Sequence, residues 1–303
     1  MATNAPAAVA AQDAAQNKAV LGSMNGEGDG VQNPSVMPML YVRQLSKTFN
    51  PGTQMAHKAL TGVDLALAPG EFACIVGSNG AGKSTLFNAI AGSVMPDAGL
   101  VELDGENITF QPDYRRARRM SRVFQDPLAG TSPHLTVAEN IALAYGRSTS
   151  TLGLRRAMRK DVRVFVRERL AELGFGLEER MDVKVGSLSG GQRQAVTMLM
   201  ATIGAPKLLL LDEHTAALDP AATQRILELT NQVVREGNIA TLMITHDLGD
   251  ALALGDRTIV MHEGAIVADV HGQERAHMSV SDLLELFHAQ THATLADDKM
   301  LLV

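Results

Sequence analysis

Gly77-Ser78-Asn79-Gly80-Ala81-Gly82-Lys83-Ser84-Thr85 is the stretch on which the fold turns. It fits the pattern G-x-x-x-x-G-K-[ST], and both flanks suit it. The apolar run Phe72-Ala73-Cys74-Ile75-Val76 reads as a buried strand before it; Ser84 to Gly92 reads as a helix after it, with Leu86, Ile90 and Ala91 on one face. Glycines let successive backbone N–H groups close round a phosphate without a Cβ in the way. Lys83 supplies a point charge for the β- and γ-phosphates, and the Ser84 hydroxyl a ligand for Mg²⁺. The helix that starts here adds its N-terminal dipole. A chance glycine-rich turn would have no reason to sit between that strand and that helix.

Downstream, Leu208 to Leu211 is a second apolar strand, and it ends on Asp212-Glu213. A strand buried in an open α/β sheet delivers its terminal acids to the carboxyl edge, where ligands gather. Asp212 is the candidate for Mg²⁺, and Glu213 for orienting and deprotonating an attacking water. A third apolar run, Thr241-Leu242-Met243-Ile244-Thr245, delivers His246 to the same edge. Leu188-Ser189-Gly190-Gly191-Gln192 then offers a different surface. Ser and two Gly ahead of a helical run from Gln192 to Ala201 make an anion-binding helix start. On its own it reads equally well as an ordinary helix cap. Beside a complete phosphate loop it is a second phosphate-facing surface, which one chain does not need for one nucleotide and two head-to-tail chains do.

Further strands are expected at Met39–Leu45, Ala59–Ala66 and Ala240–Ile244, and hairpins over Gly99–Leu103 with Glu106–Phe110 and over Arg257–Val267. A helix is expected from Ala222 to Glu236, a mostly helical lobe between Pro133 and Lys184, and a terminal packing helix over Ser281–His288. Leu- and Ile/Val-rich strands alternating with helices imply a parallel sheet covered on both faces. With 303 residues and 46% hydrophobic content the chain can bury a large core. Its longest apolar runs are broken by Gly204, Pro206 and Lys207, so none spans a bilayer. The net charge of −6 speaks against a protein that coats nucleic acid. Cys74, the single cysteine, is read as a small buried hydrophobe in its strand. No internal repeat is found.

The ordered set of motifs resembles the ATP-binding cassette (ABC) ATPases over about Leu40 to Val270. That resemblance implies an α/β fold: a P-loop NTPase core with a mostly parallel sheet, an antiparallel β-subdomain and an inserted helical subdomain at about 127–190. The ATPase domain would span 38–275, after a disordered tail at 1–37 and before a C-terminal helix and tail at 276–303. It makes Gln125, in Val123-Phe124-Gln125-Asp126-Pro127, a catalytic residue that links Mg²⁺ and water to the helical lobe. Ser189, Gly190, Gly191 and Gln192 would contact the nucleotide of a second copy, and Asp219 would address the opposite site. His246 would face the γ-phosphate. Phe49, placed after the first strand, would stack on adenine, with Tyr41 too deep in the strand to reach it.

The resemblance further implies ATP and Mg²⁺ as ligands, a head-to-tail dimer of ATPase subunits and permease subunits on separate chains. A peripheral place on the cytoplasmic face of the membrane follows. Leu135-Thr136-Val137-Ala138-Glu139-Asn140-Ile141 is similar to the start of the helical lobe in bacterial importers, which points to import of a small solute such as an amino acid and to an extracytoplasmic solute-binding protein. Two departures stand out: His214 where the family has proline, and Met200-Ala201-Thr202 where an alanine-arginine stretch is common.

Rival functions are weaker. The stretch from Gln125 to Ser189 is too short for the long coiled coil of chromosome and repair members, and there is one motif set rather than two. A lone soluble cassette for iron–sulfur assembly is the alternative, and a nucleotide-responsive module without turnover conflicts with Lys83, Glu213 and His246. The run Arg115-Arg116-Ala117-Arg118-Arg119 lacks interleaved aromatics, so it is read as a solvated helix face or a subunit contact. Arg155 to Arg169 reads as an amphipathic helix with Val164, Val166 and Leu170 inward. His288 and His292 have helical metal-pair spacing but not the H-E-x-x-H pattern.

Overall fold

The computed structural model describes residues 37–148 and 160–291. Residues 1–36 of the expected N-terminal tail, His292, and the first part of the Arg155–Arg169 stretch lie outside these residues. Strands β1 (Leu40–Phe49), β2 (His57–Leu67), β4 (Ala98–Leu103) and β5 (Glu106–Asn107) form an antiparallel sheet in the order β2-β1-β4-β5. A six-stranded sheet takes β3 (Phe72–Val76), β6 (Met120–Val123), β7 (Leu208–Asp212), β8 (Ala240–Ile244), β9 (Arg257–His262) and β10 (Ala265–His271) in the order β10-β9-β3-β8-β7-β6. All its neighbours run parallel except β9 with β10.

The described helices are α1 (Lys83–Ala91), α2 (Asp113–Arg116), α3 (Val137–Ser148), α4 (Lys160–Glu172), α5 (Gly190–Thr202), α6 (Pro220–Glu236), α7 (Leu248–Leu254), α8 (Gly272–Ala276) and α9 (Val280–Thr291). Successive strand residues point to opposite faces, so each apolar run divides between two cores. Phe72, Cys74, Val76, Leu209 and Leu211 join one core with residues of α3, α4, α5 and α6. Ala73, Ile75, Leu208 and Leu210 join the other, with α1 and the antiparallel sheet. Continuous hydrophobicity in β3, β7 and β8 is the mark of strands buried on both sides. Cys74 lies wholly inside, and burial pushes its thiol up to about 12.

Four local expectations change. The first strand runs on to Phe49 through register shifts against β2, so Phe49 closes the strand rather than following it. The second arm of the first hairpin stops at Asn107, because the Asn107 side chain accepts from Thr109 N and the Thr109 hydroxyl accepts from Val101 N. Ile108 N still donates to Val101 O at 2.9 Å, but Val101 N is taken by the Thr109 side chain, which ends the ladder. Arg116 is not solvated: it is 1% exposed, and its guanidinium donates to the carbonyls of Ala89, Ile90, Thr109 and Gln111, closing the C-terminal end of α1. Within α4, Val166 and Leu170 are buried, but Val164 is 52% exposed.

Candidate functional site

Register decides what the sheet brings together. Val123 pairs with Leu211, Asp212 with Ile244, and Ile75 with both Ile244 and Ile259. The loops that follow β3, β6, β7 and β8 therefore leave the sheet along one edge, carrying Gly77–Thr85, Gln125, Glu213 and His246.

The loop after β3 is shaped by its neighbours. Gly77 has φ 154°, and a Cβ there would stand 2.2 Å from the Met261 carbonyl oxygen. Gly82 has φ 98°, and its Cβ would stand 2.5 Å from the Ala59 carbonyl oxygen. Both positions require glycine, because the Met261 and Ala59 carbonyls occupy the space a side chain would need. The β9–β10 turn closes the back: Gly264 N donates to Ala81 O at 3.0 Å, and Thr61 N donates to Gly264 O at 2.9 Å. Lys83, 5% exposed, folds over the loop and donates to the carbonyls of Gly77 (2.6 Å) and Ser78 (3.0 Å). Ser84, Asn79 and Gly80 are exposed on the open side, and Thr85 is half-buried.

Glu213 holds a left-handed backbone at φ 45°, a conformation that costs a non-glycine residue about 1–2 kcal/mol. Its amide donates to Ile244 O at 3.0 Å, and its carbonyl accepts from Ala216 N at 3.1 Å. Strain of this kind clusters at functional sites. The Glu213 carboxylate meets His246 Nε2 at 2.5 Å. That hydrogen bond holds the carboxyl below the usual carboxylate range; partial burial opposes it, and the charges of His246 and Lys83 add to it. Next in the chain, His214 is buried and binds Thr230 Oγ1 through Nε2 at 3.0 Å. The Thr230 hydroxyl donates to Ile226 O at 2.7 Å, so His214 Nε2 is the donor in that pair. Burial lowers the His214 pKa to about 4. The histidine in place of proline thus fastens the loop to α6.

The other named residues make separate local contacts. The Ser189 hydroxyl and the Gln192 side chain complete a capping box at the start of α5, with Ser189 and Gly190 exposed and Gly191 buried. Asp219 caps α6 by accepting from Ala222 N at 3.0 Å. Gln125 is exposed beyond β6, and Phe49 is half-buried with Lys47 Nζ at 5.7 Å from its ring centroid. Two residues at the site escape the motif reading. Arg122 Nη2 donates to Asp212 Oδ2 at 2.5 Å, and its Nη1 to Asn88 Oδ1 at 2.6 Å. Among the described residues no group of His, Cys, Asp and Glu forms a ready metal cage, and no helix is long and apolar enough to cross a membrane.

Residues 60–216, more than half of the chain, match the family model for the ABC transporter. A tyrosine transport ATP-binding protein of Clostridioides difficile is 43% identical over 82% of this chain and 98% of its own length. A glycine betaine/carnitine/choline transport ATP-binding protein of Bacillus subtilis is 34% identical over 76% of this chain, which spans 57% of that relative. Among solved structures, the cassette MJ1267 of an ABC transporter superposes with TM-score 0.68 at 28% identity, over 83% of this chain and 99% of that one. The dimeric, post-hydrolysis cassette MJ0796 bound to ADP and Pi superposes with TM-score 0.65 at 29% identity, over 77% and 98%. With the phosphate loop, the strand-end acids and the histidine gathered on one sheet edge, the chain belongs to the ABC transporter family as an ATP-hydrolysing cassette.

Proposed function

We propose that two copies of this chain close head to tail on ATP and drive import of a small solute, such as an amino acid, through separate permease subunits. One observation carries the chemistry: Lys83, Glu213 and His246 converge on one sheet edge, with Glu213 already bonded to His246. The phosphates lie on Gly77 to Thr85, where the backbone amides of the glycine-rich loop and the Lys83 charge receive them. Ser84, Gln125 and Asp212 would hold Mg²⁺, which when bound neutralises phosphate charge. Glu213, held below its usual range, is ionised at neutral pH and accepts the proton of the attacking water. His246 fixes that carboxylate and faces the γ-phosphate. Phe49 stacks on the adenine.

Ser189, Gly190, Gly191 and Gln192, with Asp219, serve the nucleotide of the second copy. The exposure of Ser189, Gly190 and Asp219 supports this, as does the dimeric state of the similar cassette MJ0796. The helical segment at about 127–190, hinged at Gln125, is the lever. A cavity of about 480 Å³ beside it, lined by Phe124, Gly130, Leu143, Arg147 and Met200, is the place for a permease segment. Amino-acid import, and with it a solute-binding protein outside the membrane and a peripheral cytoplasmic location, rests on likeness to the tyrosine transport protein.

The test is direct. Lys83→Ala should abolish retention of labelled ATP, and normal retention would remove the phosphate-loop assignment. Affinity capture from membranes should recover a multi-span partner; recovery of soluble proteins alone contradicts the transport reading. In cells lacking this chain, labelled tyrosine uptake should return with wild type and not with Glu213→Gln.

A further inference from the structure

Arg122 is a charged residue in the middle of β6, at a point where the register sets it against Leu210 of β7. Its guanidinium spans three parts of the site. It bonds Asp212 at the end of β7 and Asn88 on α1, and it stacks on Phe124, with Cζ 4.8 Å from the ring centroid. The Arg122 and Asp212 side chains are only 15% and 13% exposed. Nε of Arg122 is buried with no hydrogen-bond partner among the described residues. The same side chain lines the cavity that holds Leu143, Arg147 and Met200.

A buried guanidinium is expensive unless its position is used or fully paired, and here one donor is left unpaired. Its charge is constant, since arginine does not lose its proton in proteins. Pairing through Oδ2 fixes the rotation of the Asp212 carboxylate and ties it to α1 through Asn88. A fixed positive charge against a carboxylate also weakens the pull of that carboxylate on any second cation, most of all where water is scarce. We propose that Arg122 is a positioning residue that orients Asp212 and sets how strongly a divalent cation supports ATP binding. This rests on the reading of Asp212 as the metal carboxylate. Because Arg122 also lines the cavity, an occupant there would touch the residue that fixes Asp212.

The measurement is a ratio: affinity for a fluorescent ribose-labelled ATP with excess Mg²⁺, divided by affinity with EDTA, in the full chain carrying Glu213→Gln so that nucleotide stays intact. Adding Arg122→Met should raise this ratio at least threefold, because the competing charge is gone. Arg122→Lys should restore it to within twofold of the parent. A rise of less than threefold, or a fall, overturns the proposal. Should Arg122→Met not fold, as judged by its melting curve, Arg122→Gln carries the same expectation, since it keeps a hydrogen bond for Asn88 without the charge. Asn88→Ala, which removes a partner but no charge, should leave the ratio within twofold; a larger change also counts against the charge argument. Asp212→Asn separates the two claims. It should lower the ratio at least tenfold. If it does not, the metal reading of Asp212 fails; if it does while the arginine variants change nothing, only the role of Arg122 fails.

Discussion

The sheet edge with Lys83, Glu213 and His246 and the helix start at Ser189–Gln192 both look like phosphate surfaces in the sequence, yet the folded chain treats them differently. At the sheet edge the polar groups engage one another across long stretches of sequence, and Lys83 is 5% exposed. At the start of α5 the Ser189 hydroxyl caps its own turn, the Gln192 side-chain amide also donates to Phe175 O at 3.3 Å, and Ser189 and Gly190 stay exposed. A long-range cluster is fixed by the packing of the whole sheet. A self-capped helix start is a finished local structure that presents its face outward. One region is assembled from distant segments of the chain, and the other is an exposed surface built by neighbouring ones.

Glu213→Gln puts the largest effect on that comparison. It should lower turnover by about 10²- to 10⁴-fold, the range of a lost general base. Binding of ATP should persist, and the protein should collect as a dimer, read by light scattering under saturating Mg-ATP. A monomer under those conditions would mean that the exposed helix start meets no second chain.

Gly190→Asp strikes the other region. A Cβ at Gly190 would lie 3.2 Å from a Leu218 side-chain carbon, close enough to need a small shift, and the added carboxylate would face an incoming phosphate. Nucleotide affinity of the isolated protomer should stay within about twofold, while turnover falls about tenfold or more through like-charge repulsion. An equal loss of affinity and turnover would place Gly190 inside the protomer's own pocket.

How much of this was legible in the sequence follows the same division. Apolar runs ending on Gly77, Asp212 and His246 could be read as strands because burial on both faces leaves no polar alternation. Their common edge then follows from parallel register. Arg116 and Arg122 could not be placed by composition, since a buried guanidinium is recognised only from the carbonyls and carboxylates that surround it, and those come from distant segments. The length of β1 escaped because its register shifts break the alternation after Leu45. His214 was visible as a departure, but its anchor Thr230 lies on the next helix.

His214→Gln sharpens the buried side of the comparison through pH. The histidine has a folded pKa of about 4 against an ordinary value near 6.5, so the folded state favours its neutral form. Its contribution is complete above about pH 6.5 and is lost as pH falls toward 4, a change of roughly 3 kcal/mol. Asp250, which desolvation raises to about 6 with help from Asp247, acts with the opposite sign over part of this window. The informative quantity is therefore the difference between wild type and variant in urea midpoints from pH 7 to pH 4. Glutamine can still donate to Thr230 and cannot titrate, so the difference should shrink steadily as the solution is acidified. A constant difference would mean that His214 is not the group protonated.

Phe49→Ala carries the smallest effect and probes the rim of the pocket. The ring ends β1, half-buried, with the Lys47 ammonium 5.7 Å from its centroid. A base lying on such a ring contributes about 1–3 kcal/mol, so ATP affinity should fall by roughly tenfold, and Phe49→Tyr should restore it. Pyrophosphate, which lacks a base, should compete equally well for both proteins. If pyrophosphate weakens in parallel with ATP, the ring supports the phosphate loop through packing and the adenine lies elsewhere.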